Sequence, residues 1–131
     1  MTLPKLVRDL VPTHIIDDGR VPVVSIASTR DQHIELLRAK INEEFQEFLD
    51  DPCLEEAGDC YEVLRALFEL HGMTMADVTA AADVKERKCG GFYEGIILEA
   101  VAEGGCNRVV IAGKEQVPEE EVELYKTYGG D

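Results

Sequence analysis

The sequence predicts a mainly α fold: an antiparallel bundle of helices with a small β-hairpin at the C-terminal end. Three observations point there. Ile34, Leu37, Ile41, Phe45 and Phe48 recur at steps of three or four along residues 31 to 50, the spacing of one helix face. Residues 53 to 71 repeat that period with Leu54, Ala57, Tyr61, Leu64 and Phe68 on one side and Val63, Leu67 and Leu70 on another. Beyond Phe92 the pattern turns β-leaning, with GIILEAV and RVVIAG either side of AEGGCN.

In chain order, KLVRDLVP places Lys5, Arg8 and Asp9 ahead of a short helix that Pro12 opens and Gly19 stops. An Arg8 pair with Asp9 or Asp17 is the simplest reading of that segment. Residues 21 to 27, VPVVSIA, are β-branched and predicted extended. Ser28 or Thr29 caps the long helix, with Asp31 in a variant of the capping box. Asp50-Asp51-Pro52 breaks it, because proline disfavours helix in the residue before it and opens the next one. So short a connection makes the two helices antiparallel neighbours. Gly72 ends the second, and Thr74 with Asp77 caps a third over 75 to 88, whose basic last turn suits the carbonyl end of its dipole. Residues 118 to 127 read as a short final helix. With neither repeat nor linker, residues 1–131 form one domain: a helical core over 5–92 and an appendage over 93–131.

Composition excludes several function classes. The formal net charge is −14, from 27 acidic and 13 basic residues, which opposes a sequence-independent grip on nucleic acid polymers or anionic lipid. Cys53, Cys60, Cys89 and Cys106 have neither CxxC spacing nor a secretory leader before them, so they are expected to be small, buried, reduced thiols. No apolar run reaches the roughly 18 residues of a spanning helix. A cytoplasmic location follows as the expectation.

The chemistry is expected in EEFQEFLDDPCLEEAGD, residues 43 to 59. Glu44 falls inside the apolar stripe, three residues after Ile41 and four before Phe48. Glu47 flanks it, and Glu56 and Asp59 repeat the anomaly on the next helix. In the antiparallel hairpin the pairs Glu47 with Glu56 and Glu44 with Asp59 share one midpoint, so both are level. Two carboxylates about 4 Å apart repel by roughly 4 kcal/mol at an effective dielectric near 20. A domain stable by about 5 to 15 kcal/mol must splay such acids into water, protonate some, or bind a cation. All-oxygen ligands favour Mg2+, or Mn2+ in its place, over zinc. Glu62 reads as solvated or salt-bridged. Phosphate chemistry at such a site needs further cations, for which Lys5, Arg8, Lys85, Arg87 and Lys88 are candidates, with Gly90-Gly91 allowing close backbone approach.

EEFQE, then EEAGD, then DVTAAADVKERKCGGF resembles the MazG-like, all-α nucleoside triphosphate pyrophosphohydrolases. KLVRDLVP is similar to their house-cleaning branch, which is also phosphoribosyl-ATP pyrophosphohydrolase-like. The resemblance covers about residues 5 to 100, with a connection over 48 to 55 shorter than usual in the family. It implies an all-α bundle that uses Mg2+ (Mn2+ in its place) to hydrolyse a nucleoside triphosphate, canonical or damaged, between the α and β phosphates, giving monophosphate and pyrophosphate. Carried over, Glu44, Glu47, Glu56 and Asp59 become metal ligands, and Glu43 and Glu47 catalytic groups, Glu43 to hold a second metal or orient the water. Lys5, Arg8, Lys85, Arg87 and Lys88 become phosphate-binding, and a homodimer or higher homo-oligomer is implied. Two alternatives stand: phosphoribosyl-ATP as the substrate, and a non-catalytic nucleotide or metal-binding regulatory module.

Overall fold

The computed structural model describes residues 3–104 and 109–113. They contain four helices and no strand: α1 (Val11–Asp17), α2 (Arg30–Asp50), α3 (Leu54–Leu70) and α4 (Met75–Cys89). The chain divides into two units, Met1–Val78 and Thr79–Asp131, with the boundary inside α4.

In the first unit α2 and α3 form the expected antiparallel hairpin, and local chemistry fixes both of its ends. Thr29 caps α2 by accepting from the Gln32 amide at 3.0 Å. The reciprocal partner is Gln32 rather than Asp31, its Oε1 accepting from the Ser28 backbone N–H at 2.6 Å. Asp51 closes α2, Cys53 sits at the N-cap of α3, and Pro52 between them sets the break. At the open end, Arg30 donates through Nε to the Leu70 carbonyl at 2.8 Å, so the first residue of α2 satisfies a free carbonyl in the last turn of α3. Midway, the Cys60 thiol donates to the Glu44 carbonyl at 3.3 Å. Pro12 is the second residue of α1 rather than its first, and Gly19 follows that helix at φ +83°, a conformation glycine adopts without strain.

The core of this hairpin is small. Ile34, Leu37, Ile41 and Cys60 are its buried apolar side chains, and Glu44 is buried in line with them. Phe45 is 44% exposed and Phe48 half-buried, so the stripe stops being a core at the position where Glu44 interrupts it.

Thr74 and Asp77 form a complete capping box, Thr74 N–H to Asp77 Oδ2 and Asp77 N–H to Thr74 Oγ1, both at 3.1 Å. These two bonds hold the Asp77 carboxyl below the ordinary carboxylate range. That contribution is present above the ordinary range and is lost as the pH falls through the depressed value. Thr74→Ala is expected to cost about 1 kcal/mol of local helix stability, read as faster amide exchange at Asp77 with α2 and α3 unchanged.

Three expectations are corrected. The C-terminal hairpin is not formed among the described residues: 96–104 and 109–111 carry no strand, and Ile96, Ile97 and Val101 are exposed. A lone two-stranded hairpin is marginal in water, and among the described residues of this one no apolar side chain is fully buried. Part of its turn, 105–108, lies outside the described residues, as does the helix expected over 118 to 127. The segment 21 to 27 carries no strand among the described residues, leaving Val23 95% exposed. Cysteine burial holds for Cys60 alone; Cys53 is exposed, Cys89 half-buried, and Cys106 lies outside the described residues. No helix among the described residues is long and apolar enough to cross a membrane.

Candidate metal centre

The site is built on facing turns of α2 and α3. The period of α2 that buries Ile34, Leu37 and Ile41 carries Glu44 inward next. Glu56, in the first turn of α3, and Asp59, one turn on, supply the opposite wall. One carboxylate oxygen from each of Glu44, Glu56 and Asp59 lies within 4.8 Å of the other two. Three carboxylate oxygens that converge from two helices form an all-oxygen donor set of the kind a hard divalent cation such as Mg2+ takes.

Charge balance at this centre is incomplete. Lys40, one turn before Glu44, reaches its Oε1 at 3.3 Å and Glu43 at 3.4 Å, dividing one ammonium between two acids. Arg8 reaches Asp59 Oδ1 at 2.6 Å. Glu44 Oε2 and Glu56 Oε2 are buried with no hydrogen-bond partner. A buried polar atom without a partner is costly, and two of them on facing carboxylates are what an oxygen-ligated cation would satisfy.

The acidities follow from this placement. Burial, then the Glu47 carboxylate beside it, push Glu44 above the ordinary carboxylate range, against the opposing pull of Lys40. Glu56 is pushed up by burial and then by Asp59 and Glu44. Burial lowers the Lys40 ammonium, but Glu44 and Glu43 outweigh it and the net shift is upward. Burial and the neighbouring Glu44 and Asp59 also raise the Cys60 thiol, which makes it a poor nucleophile and a structural donor to the Glu44 carbonyl.

Of the four expected ligands, the structure therefore brings Glu44, Glu56 and Asp59 together. Glu47 lies beside Glu44 but outside the triad. Glu43 is turned to Lys40. Glu62 is salt-bridged to Arg65, as expected of it. Arg8 pairs with Asp59 rather than with Asp9 or Asp17, and Lys5 has no ion pair among the described residues. Lys85, Arg87 and Lys88 lie on α4 in the second unit. There a shallow cavity of about 440 Å³ is lined by Lys85, Glu86, Gly90, Gly91, Phe92 and Tyr93 among others. A Cβ at Gly91 would come within 2.6 Å of the Tyr93 ring, so glycine is what lets that ring lie against the backbone.

Sequence reasoning missed Lys40. Its signal was available, since Lys40 stands four residues before Glu44 and three before Glu43, the spacings of neighbours on one helix. The chain matches no protein-family model, no curated protein and no solved structure.

Proposed function

We propose that the chain is a Mg2+-dependent nucleoside triphosphate pyrophosphohydrolase of the MazG-like, all-α type. The observation that carries this reading is the Glu44, Glu56 and Asp59 triad, with a buried, partnerless oxygen on each of two helices. Those three side chains are the ones that would hold Mg2+, or Mn2+ in its place. When bound, such an ion polarises a phosphoryl oxygen and offsets the charge on the leaving group. Glu47, beside the triad, orients the attacking water and accepts its proton. A bond forms from the water oxygen to the α-phosphorus, the bond to the α–β bridging oxygen breaks, and pyrophosphate leaves. Lys5 and Arg8, in the unit that carries the triad, are the candidate phosphate contacts there; for Lys85, Arg87 and Lys88, in the second unit, that role rests on the resemblance alone, and Glu43 acts through Lys40.

A homodimer or higher homo-oligomer belongs to this reading. Its support is the shortage of buried apolar surface: Phe45, Leu49, Leu54 and Tyr61 on α2 and α3 are all exposed, and exposed apolar residues gathered on packed elements mark interaction surfaces.

The test is product identity. With Mg2+, the protein is expected to release pyrophosphate and not orthophosphate from some member of a panel containing dCTP, dUTP, oxidised purine triphosphates and phosphoribosyl-ATP. Turnover of phosphoribosyl-ATP alone would move the substrate to that compound. Nucleotide binding by calorimetry with no turnover of any member would sink the enzyme in favour of a regulatory module.

A further inference from the structure

Arg8 and Asp59 are 51 positions apart in sequence, yet their 2.6 Å ion pair joins the segment before α1 to the triad. The contact falls on Oδ1 of a carboxylate that is itself one of the three proposed ligands. The guanidinium is 58% exposed, so it can return to water at little cost, whereas Asp59 is only 32% exposed and would be left facing Glu44 and Glu56. A guanidinium and a divalent cation on one carboxylate would stand only a few ångströms apart, where like charges repel. Both therefore draw on the same negative charge.

We propose that Arg8 is the counter-ion of Asp59 in the metal-free protein and is exchanged for the divalent cation when it binds. Arg8 is thus a positioning residue, holding the carboxylate wall together until the metal replaces it. This rests on the metal reading above. Pairing in the metal-free state subtracts from apparent metal affinity, because only the unpaired fraction is competent to bind.

The experiment measures Mn2+ binding by electron paramagnetic resonance and thermal melting in chelator and in saturating Mn2+, on wild type, Arg8→Gln, Lys5→Gln and Glu56→Gln. Arg8→Gln is expected to bind Mn2+ about three- to fivefold more tightly, the range set by an exposed ion pair. It should also melt lower than wild type in chelator but level with it in saturating Mn2+. Lys5→Gln, which removes the same charge from the same segment, should do neither. Unchanged or weaker Mn2+ binding by Arg8→Gln overturns the exchange, as does a melting difference that persists in Mn2+ or an equal effect from Lys5→Gln. If wild type binds Mn2+ and Glu56→Gln does not, such a result condemns the exchange alone. Absence of Mn2+ binding by wild type removes the metal reading and the exchange with it.

Discussion

Glu56→Gln is expected to reduce pyrophosphate release on the order of a thousandfold or more, with the helical circular dichroism signal intact. The substitution keeps the shape of the side chain and removes a ligand charge. It also relieves a carboxyl that burial, Asp59 and Glu44 already push toward its neutral form, so the metal-free fold does not suffer. Loss of activity in a protein at least as stable as wild type separates a functional role from a structural one. Asp59→Asn should behave alike in activity. Glu47→Gln, outside the triad, is expected to lose turnover while retaining Mn2+ binding, and loss of both would make Glu47 a fourth ligand. Activity of Glu56→Gln within tenfold of wild type would sink the assignment.

The hairpin was legible because its signals are local. The α2 stripe as far as Ile41, the Asp50-Asp51-Pro52 break and the Thr74–Asp77 box each act over one or two turns of helix, and each appears where spacing put it, whereas Phe45 beyond the Glu44 interruption is exposed. The carboxylate pairing was legible only in part. A shared midpoint at the turn makes Glu44 level with Asp59 and Glu47 level with Glu56, but the Cys60 thiol meets the Glu44 carbonyl and Glu56 joins Glu44 and Asp59. Helix crossing and side-chain reach, which depend on packing, decide among neighbours one turn apart. The Arg8 contact could not be read from spacing at all. Its partner is set by where residues 3 to 10 run, and nothing periodic in KLVRDLVP encodes that path. Propensity failed at 21–27 and 96–101 for a related reason: β-branched residues favour strands when a pleated surface awaits them, and among the described residues none does.

Glu44→Leu removes a buried carboxylate oxygen that has no partner and is expected to make the metal-free protein more stable at pH 7 by about 1 to 3 kcal/mol, a rise of roughly 3 to 5 °C in Tm for each kcal/mol. Leucine continues the stripe of Ile34, Leu37 and Ile41, and Lys40 keeps Glu43 as its partner. Part of the gain depends on pH, and its sign is fixed by the direction of the Glu44 shift. The folded carboxyl titrates above the ordinary value of 4.5 because it is buried beside Glu47. Below that ordinary value both folded and unfolded chains are protonated at this position and Glu44 costs nothing by ionising. As the pH rises, the unfolded chain ionises first, so wild type loses stability from about 4.5 upward until the folded carboxyl has titrated too. The margin of Glu44→Leu should therefore widen through that window and shrink in acid. Mn2+ should reverse the order, since a ligand at about a thousand times its Kd stabilises wild type by about 4.1 kcal/mol and the variant by nothing. Denaturant melts across pH, with and without Mn2+, read all of this. A Glu44→Leu protein less stable than wild type in chelator at pH 7 would mean that Glu44 serves the fold through Lys40. A variant that is more stable empty and less stable in metal marks a side chain buried for the cation.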